Sequence, residues 1–201
     1  MTDRLPATAE GIERAAALLA QGSIVAFPTD TVYGVAVAAS RADRLPALFE
    51  LKRRPIDRRI PVLVASLAQI GAEWVVDERA NRLVERFWPG PLTLVLSSAG
   101  AGRTQAFRAP DHPVALALIE AAGPLLATSA NVSNEPDTES ADDVLIAFAT
   151  QQDELAAVVD GGSVAGGIAS TVLDLSAAPA RILRAGPIRR EQLAESVELA
   201  G

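Results

Sequence analysis

The sequence predicts an α/β fold, an open twisted mixed sheet with flanking helices, and three observations lead there. Short apolar runs alternate with segments of helical periodicity, so strands and helices interleave along the chain. The alternation is not strictly βαβ, which favours a mixed over a purely parallel sheet. Several apolar runs end in small polar residues, as strands do at a ligand-binding sheet edge.

The elements follow in order. Glu10–Ala20 repeats apolar residues at helical spacing (Ile12, Ala15, Ala16, Leu19), and Gly22 is a suitable stop. Ser23–Phe27 reads as a buried strand and Val35–Ala39 as another. Arg41–Leu51 reads as a helix with Leu45, Leu48, Phe49 and Leu51 inward and Pro46 near its first turn, where proline is tolerated. A basic segment, residues 52–59, leads into a strand at Pro61–Ala65. Helices are expected at Ser66–Gly71 and Asp77–Phe87. Trp88-Pro-Gly-Pro91 breaks the chain before strands at Leu92–Leu96 and Gln105–Ala109. A helix at Pro113–Ala122, a buried strand at Leu125–Thr128 and a polar loop at Asn131–Ser140 come next. The chain closes with a helix at Ala141–Thr150, an apolar run at Ala157–Asp160, a glycine-rich loop, strands at Ser170–Leu175 and Arg181–Leu183, and a helix near Arg189–Leu199.

The 201 residues show no repeat, low-complexity stretch or linker, so a single domain over residues 1–201 is expected. Apolar residues make up 49%, ample for a core. With no cysteine and one histidine, His112, disulfides, thiolate metal sites, a cysteine nucleophile and a multi-histidine centre are excluded. His112 sits in a turn-like Pro-Asp-His-Pro setting and is expected to be structural. The first residues lack the pattern of a signal peptide, and no apolar run is long enough to span a bilayer, so a cytoplasmic location is expected. A net charge of −7 argues against a broad nucleic-acid-binding face.

Six segments could carry chemistry. Five of the eight residues from Lys52 to Arg59 are cationic. The run is either a solvated loop or, because an apolar helix and strand anchor its ends and Pro55 stiffens it, a grip for a polyanion such as a triphosphate. Thr128-Ser-Ala-Asn131 ends a buried strand in hydrogen-bonding groups, as a ligand edge or as an ordinary turn or helix cap. Arg108 interrupts an apolar strand, either as a binding residue or as a salt-bridged edge residue. Pro28-Thr-Asp-Thr-Val-Tyr-Gly34 sets hydroxyls, a carboxylate and a phenol between two apolar runs. Gly161–Gly167 lacks the Lys-Ser/Thr ending of a phosphate-binding loop and reads as a plain loop. Ser170-Thr-Val-Leu-Asp174 and Ile182-Leu-Arg-Ala-Gly186 each join a polar group to an apolar stretch. Neither a Ser-His-Asp arrangement nor a close carboxylate pair stands out. Such a set favours chemistry driven by positioning and charge neutralisation, as in nucleotidyl transfer.

Taken in order, seven stretches resemble the YrdC-like threonylcarbamoyl-AMP synthase family in its short single-domain form. They are Phe27-Pro-Thr-Asp-Thr-Val-Tyr-Gly34, Leu51-Lys-Arg-Arg-Pro55, Trp88-Pro-Gly-Pro-Leu-Thr93, Arg108-Ala-Pro-Asp-His-Pro113, Thr128-Ser-Ala-Asn-Val-Ser133, Ser170-Thr-Val-Leu-Asp174 and Ile182-Leu-Arg-Ala-Gly186. Each is short, but together they cover nearly the whole chain.

The resemblance implies an open twisted sheet with a large cationic cavity. It implies a nucleotidyltransferase that makes L-threonylcarbamoyladenylate and pyrophosphate from L-threonine, bicarbonate and ATP, with Mg²⁺ bound through the ATP phosphates and no protein metal ligands. A downstream enzyme would transfer the group to tRNA adenosine beside the anticodon. By matched position, Lys52, Arg54, Ser129, Asn131 and Arg184 would bind ATP or the adenylate, Lys52 and Arg54 acting in catalysis. Thr29, Arg108 and Ser170 would bind threonine, Arg108 as a two-pronged clamp on its carboxylate. Lys52 and Arg54 are expected at the cavity wall, where truncation to alanine would remove activity with little loss of stability. Three departures stand out: Ala65 where many members have histidine, Asn134 where glycine is usual, and a Ser/Thr contact that Thr138 and Ser140 leave unassigned. Two alternatives remain, an RNA-binding module using the same cavity and a relative that acts on another amine.

Overall fold

The computed structural model describes residues 1–53, 55, 59–100, 102–151 and 154–201. In chain order its elements are β1 (Asp3–Pro6), α1 (Ala9–Ala20), β2 (Ile24–Phe27), β3 (Gly34–Ala38), α2 (Leu45–Leu51), β4 (Val62–Leu63), α3 (Glu78–Phe87), β5 (Leu92–Ser97), β6 (Thr104–Arg108), α4 (Pro113–Ala122), β7 (Leu125–Ser129), α5 (Ala141–Ala147), β8 (Leu155–Asp160), β9 (Thr171–Asp174), β10 (Arg181–Arg184) and α6 (Arg190–Ala194). The strands form one sheet in the order β1-β8-β2-β3-β7-β4-β6-β5-β9-β10. The pairs β1/β8, β8/β2, β4/β6 and β5/β9 are parallel and the rest antiparallel, so the sheet is mixed, as expected.

Over the β1-to-β7 part of the sheet both faces are packed, which explains why its strands β2, β3 and β8 are largely apolar rather than alternating. Ile24 and Ala26 of β2, with Val35 and Val37 of β3, join one core that takes in residues of α2, α3, α5 and α6. Val25, Phe27, Ala36 and Ala38 point the other way, into a second core with Ala15, Ala16 and Leu19 of α1 and Ala115, Leu118 and Ile119 of α4. Helices α1 and α4 lie against each other and cover the β1-to-β7 part of that face.

The sequence reading of the elements needs correction in several places, among them the strand expected at Pro61–Ala65, which is only Val62–Leu63. The expected helix Arg41–Leu51 is two pieces, a 3₁₀ segment at Ala39–Arg44 with a kink at Arg41 (φ −117°, ψ 41°) and then α2. Pro46 explains the break: it belongs in the first turn of a helix, so the helix starts at Leu45. Ser66–Gly71 contains only a short 3₁₀ turn, Leu67–Gln69. The helices expected to reach Thr150 and Leu199 stop at Ala147 and Ala194. Finally, β1 was not foreseen, because only Leu5 of its four residues is buried and no apolar run marks it. Helix α4 has the expected bounds, with Pro113 in its first turn.

Candidate functional site

Among the described residues, one half of the second face has no helix over it. Beside β4, β6, β5, β9 and β10 the side chains Leu63, Ala106, Arg108, Thr93, Val172 and Arg184 line a cavity of about 530 Å³. Their strand neighbours Phe107, Leu92, Leu94 and Leu173 point into the opposite core. The period-two alternation therefore explains why Thr93 and Arg108 interrupt apolar strands: they face the cavity while Leu92, Leu94 and Phe107 face the core. The remaining wall comes from the loop between β2 and β3, from Ser129 at the end of β7, and from Arg59, Asp137 and the segment running from Gly167 to Ser170.

Lys52, Ser129 and Asn131 come together, but not as an open row of ligands. The Lys52 side chain is 2% exposed. Its ammonium donates to the Ser129 carbonyl, to the Asn131 carbonyl at 2.7 Å and to Asn131 Oδ1 at 3.1 Å. Its own carbonyl accepts from Ser133 N at 2.9 Å. The chain from Ser129 to Ser133 thus folds around Lys52. Asn131 adds a bond from Nδ2 to the Glu135 carbonyl (2.6 Å), and Ser129 Oγ donates to Asn131 Oδ1 (2.7 Å). Of these three residues Ser129 lines the cavity, whereas Lys52 and Asn131 stand behind it. The expected position of Lys52 at the wall is corrected accordingly: carbonyl oxygens of a tight turn draw the ammonium inward, because a buried cation needs acceptors close by. Arg54, its expected companion, lies outside the described residues.

The departures from the family pattern acquire physical reasons. Asn134 has φ +71°, a conformation in which asparagine is among the best-tolerated residues after glycine. Thr138 is buried and donates to the Ala130 carbonyl at 3.1 Å, while Ser140 caps α5 at Asp143 N. The hydroxyl beside the Ser129–Asn131 turn is therefore that of Thr138. Ala65 offers a methyl group only, and its N–H is taken by Gln69 Oε1 at 2.7 Å.

At the other end of the cavity, Arg108 is buried in β6 and paired with Asp30. Nη2 donates to Asp30 Oδ1 at 2.7 Å and Oδ2 at 2.6 Å, and Nε donates to the Gly90 carbonyl at 3.1 Å. Burial pushes this guanidinium below its ordinary value, and Asp30 opposes that shift. Arg108 is both a cavity residue and an ion-paired one, and β6 is an inner strand rather than an edge. Ser170 is buried beside Thr93, with their hydroxyl oxygens 2.8 Å apart. Arg184 braces Ser170 through its carbonyl (Nε 3.0 Å, Nη2 2.9 Å) and its Oγ (3.1 Å), and burial lowers the Arg184 value. Thr29 is buried, and its hydroxyl donates to the Val32 carbonyl at 2.7 Å, shaping the turn before β3.

Sequence reasoning did not single out Thr93, Asp137 or the pairing of Asp30. Thr93 and Asp30 fall within the quoted stretches, but nothing in a linear sequence shows which face of a strand a threonine takes or which arginine an aspartate meets. Tyr33 is buried at the cavity, and its hydroxyl donates to the Gly162 carbonyl at 2.7 Å and accepts from Gly161 N at 3.2 Å. Burial raises this phenol above its ordinary value. The glycine-rich loop it fastens is irregular, as expected. His112 precedes α4 with its Nδ1 buried and unpartnered among the described residues. Burial pushes its value down, against the pull of Asp30 and Asp111. No helix among the described residues is long and apolar enough to cross a membrane.

Comparison with known proteins gives a consistent picture. The Sua5–YciO–YrdC family model, described as "Telomere recombination", matches residues 17–186. The chain is 40% identical to a threonylcarbamoyl-AMP synthase of Bacillus subtilis over 96% of its own length, but spans only 58% of that protein. It is 36% identical to a putative threonylcarbamoyl-AMP synthase of Mycobacterium tuberculosis, over 92% of this chain and 88% of the other. Among solved structures, Pyrococcus abyssi Sua5 complexed with L-threonine superposes with a TM-score of 0.86 and 33% identity, over 100% of this chain and 62% of that one.

Proposed function

Because the chain belongs to the Sua5–YciO–YrdC family, we propose that it makes L-threonylcarbamoyladenylate and pyrophosphate from L-threonine, bicarbonate and ATP. One observation carries the reading. In a relative of the synthases, Arg108 and Ser170 stand on one part of a cavity wall and Ser129, on the turn pinned by Lys52, on another. A volume of about 530 Å³ suits a ligand of nucleotide size.

The chain's own groups suffice for the positioning. Arg108 takes the threonine carboxylate, with the hydroxyls of Ser170 and Thr93 beside it. The amine combines with bicarbonate to give a carbamate and water. A carbamate oxygen attacks the α-phosphorus of ATP, the bond to the β-phosphate breaks, and pyrophosphate leaves. Ser129 and the turn built on Lys52 and Asn131 receive the phosphate side of the adenylate, with Arg54 of the Lys-x-Arg pair and Arg184 assisting. The protein brings two anions together and holds its cations in place beforehand, which is where catalysis of this kind gains most.

The donors present suit Mg²⁺ that arrives on phosphate oxygens: among the described lining residues only Asp137 is a carboxylate, and Mg²⁺ ordinarily keeps several waters and phosphate ligands. When bound it would neutralise phosphate charge. The product would pass to an enzyme that modifies tRNA adenosine.

The test is release of pyrophosphate by purified protein given ATP, bicarbonate and threonine. Release that depends on threonine supports the reading, and none beside an active synthase control would sink it. Ala65, which offers no polar side chain, favours one second reading, another amine substrate. A panel of amino acids in the same assay separates the two.

A further inference from the structure

The Arg108 guanidinium has two of its three nitrogens committed to the protein. Nη2 gives both its bonds to Asp30, and Nε is held by the Gly90 carbonyl. Gly90 is itself fixed, its N–H donating to the Ala109 carbonyl at 2.8 Å. Nη1 makes no hydrogen bond among the described residues. The two-pronged clamp expected from the sequence is therefore already occupied, and its partner is Asp30 rather than a ligand.

Asp30 does not line the cavity, whereas Arg108 does. The two side chains are 14% and 11% exposed. A guanidinium this enclosed needs a counter-charge, and the Asp30 carboxylate supplies it with both oxygens on Nη2. Rotation about the last bonds of the arginine, which would otherwise let the group turn, is removed by two anchors on adjacent nitrogens.

We propose that Asp30 is a positioning residue for the amino-acid end of the reaction, fixing Arg108 so that Nη1 alone meets the substrate carboxylate. The inference rests on the synthase reading and adds to it. Asp30 touches neither substrate nor nucleotide. It acts on threonine affinity through Arg108, and the single-nitrogen contact leaves the other carboxylate oxygen to the hydroxyls of Ser170 and Thr93, themselves 2.8 Å apart. Among the described residues, the hydrogen bonds that tie Lys52, Ser129 and Asn131 together at the phosphate end involve neither Arg108 nor Asp30.

The experiment measures pyrophosphate release with threonine and ATP varied separately. Asp30→Asn is expected to raise the threonine KM about tenfold, the usual size for loss of a charged hydrogen bond at a buried site, with the ATP KM unchanged. Asp30→Glu, which restores the charge, is expected to recover most of the loss. Asp30→Ser repeats the test if the amide variant does not fold. A threonine KM that stays at the wild-type value, an ATP KM that rises equally, or no recovery with glutamate would each overturn the positioning role. Wild-type protein without activity would instead sink the synthase reading itself.

Discussion

The Lys52 ammonium and Asn131 are joined twice, through the Asn131 carbonyl at 2.7 Å and its side-chain Oδ1 at 3.1 Å. With the Ser129 carbonyl as a further acceptor, one cation organises the turn that follows β7.

Lys52→Met keeps an unbranched side chain, one atom shorter, and removes its charge. It leaves buried carbonyls without their donor and should cost about 3 kcal/mol. Equilibrium urea unfolding reads this as a lower midpoint with an unchanged slope. Activity per folded molecule should also fall, because Ser129 would lose its place. The expectation from sequence of lost activity is kept, while its small cost in stability gives way for Lys52 to the burial of the side chain; a midpoint equal to wild type would restore it.

The hydroxyl pair Thr93–Ser170 predicts coupling. Ser170→Ala and Thr93→Val should each weaken threonine binding about fivefold, in line with one neutral hydrogen bond of about 1 kcal/mol. The double variant should lose less than the product of the two, since each single change already breaks the shared bond. Calorimetric titration with threonine measures all three, and strict additivity would mean that the hydroxyls act separately.

Gly186 is required by space. A Cβ there would lie 2.3 Å from Thr171 N, 2.6 Å from the Ala169 carbonyl oxygen and 2.7 Å from Ser170 C. All three are backbone atoms that cannot swing aside. Gly186→Ala should therefore destabilise the protein by about 2 kcal/mol or more and disturb Ser170 with it. Thermal unfolding together with threonine affinity checks both effects, and a variant normal in both would mean that the backbone yields easily here.

His112 predicts a pH dependence with a definite sign. Burial lowers its folded-state value, so the unfolded chain binds a proton first as pH falls through about 6.5. Stability is fully present above that point and declines below it, levelling off at the lower folded value. The ring is only partly enclosed, so the loss should stay below about 1 kcal/mol. Unfolding midpoints between pH 7.5 and pH 5 should drift downward in wild type and less in His112→Gln; parallel curves would remove His112 as the cause.

Much of the fold was legible because strands such as β2 and β3 are buried on both sides and stand out as apolar runs between turn signals. The exceptions have local causes. β1 is a short edge strand with one inward residue, and the segment before Leu45 carries helical spacing that Pro46 then interrupts. In the site, residue types were legible but partners were not. Arg108 was readable as a cavity residue or an ion-paired one, and it is both, because Asp30 meets it from 78 residues away in sequence. Lys52 was readable as part of a solvated charged loop or as a grip at the cavity wall, and its acceptors on Ser129 and Asn131 help to account for its burial.

The position of β8 has a consequence for the order of assembly. Residues 155–160 lie between residues 3–6 and 24–27, in parallel register with both. A nascent chain leaving the ribosome cannot close this part of the sheet until residues 155–160 have been made. Until then β2 presents an apolar edge with no neighbour on one side, the kind of surface that chaperones hold and that aggregates otherwise.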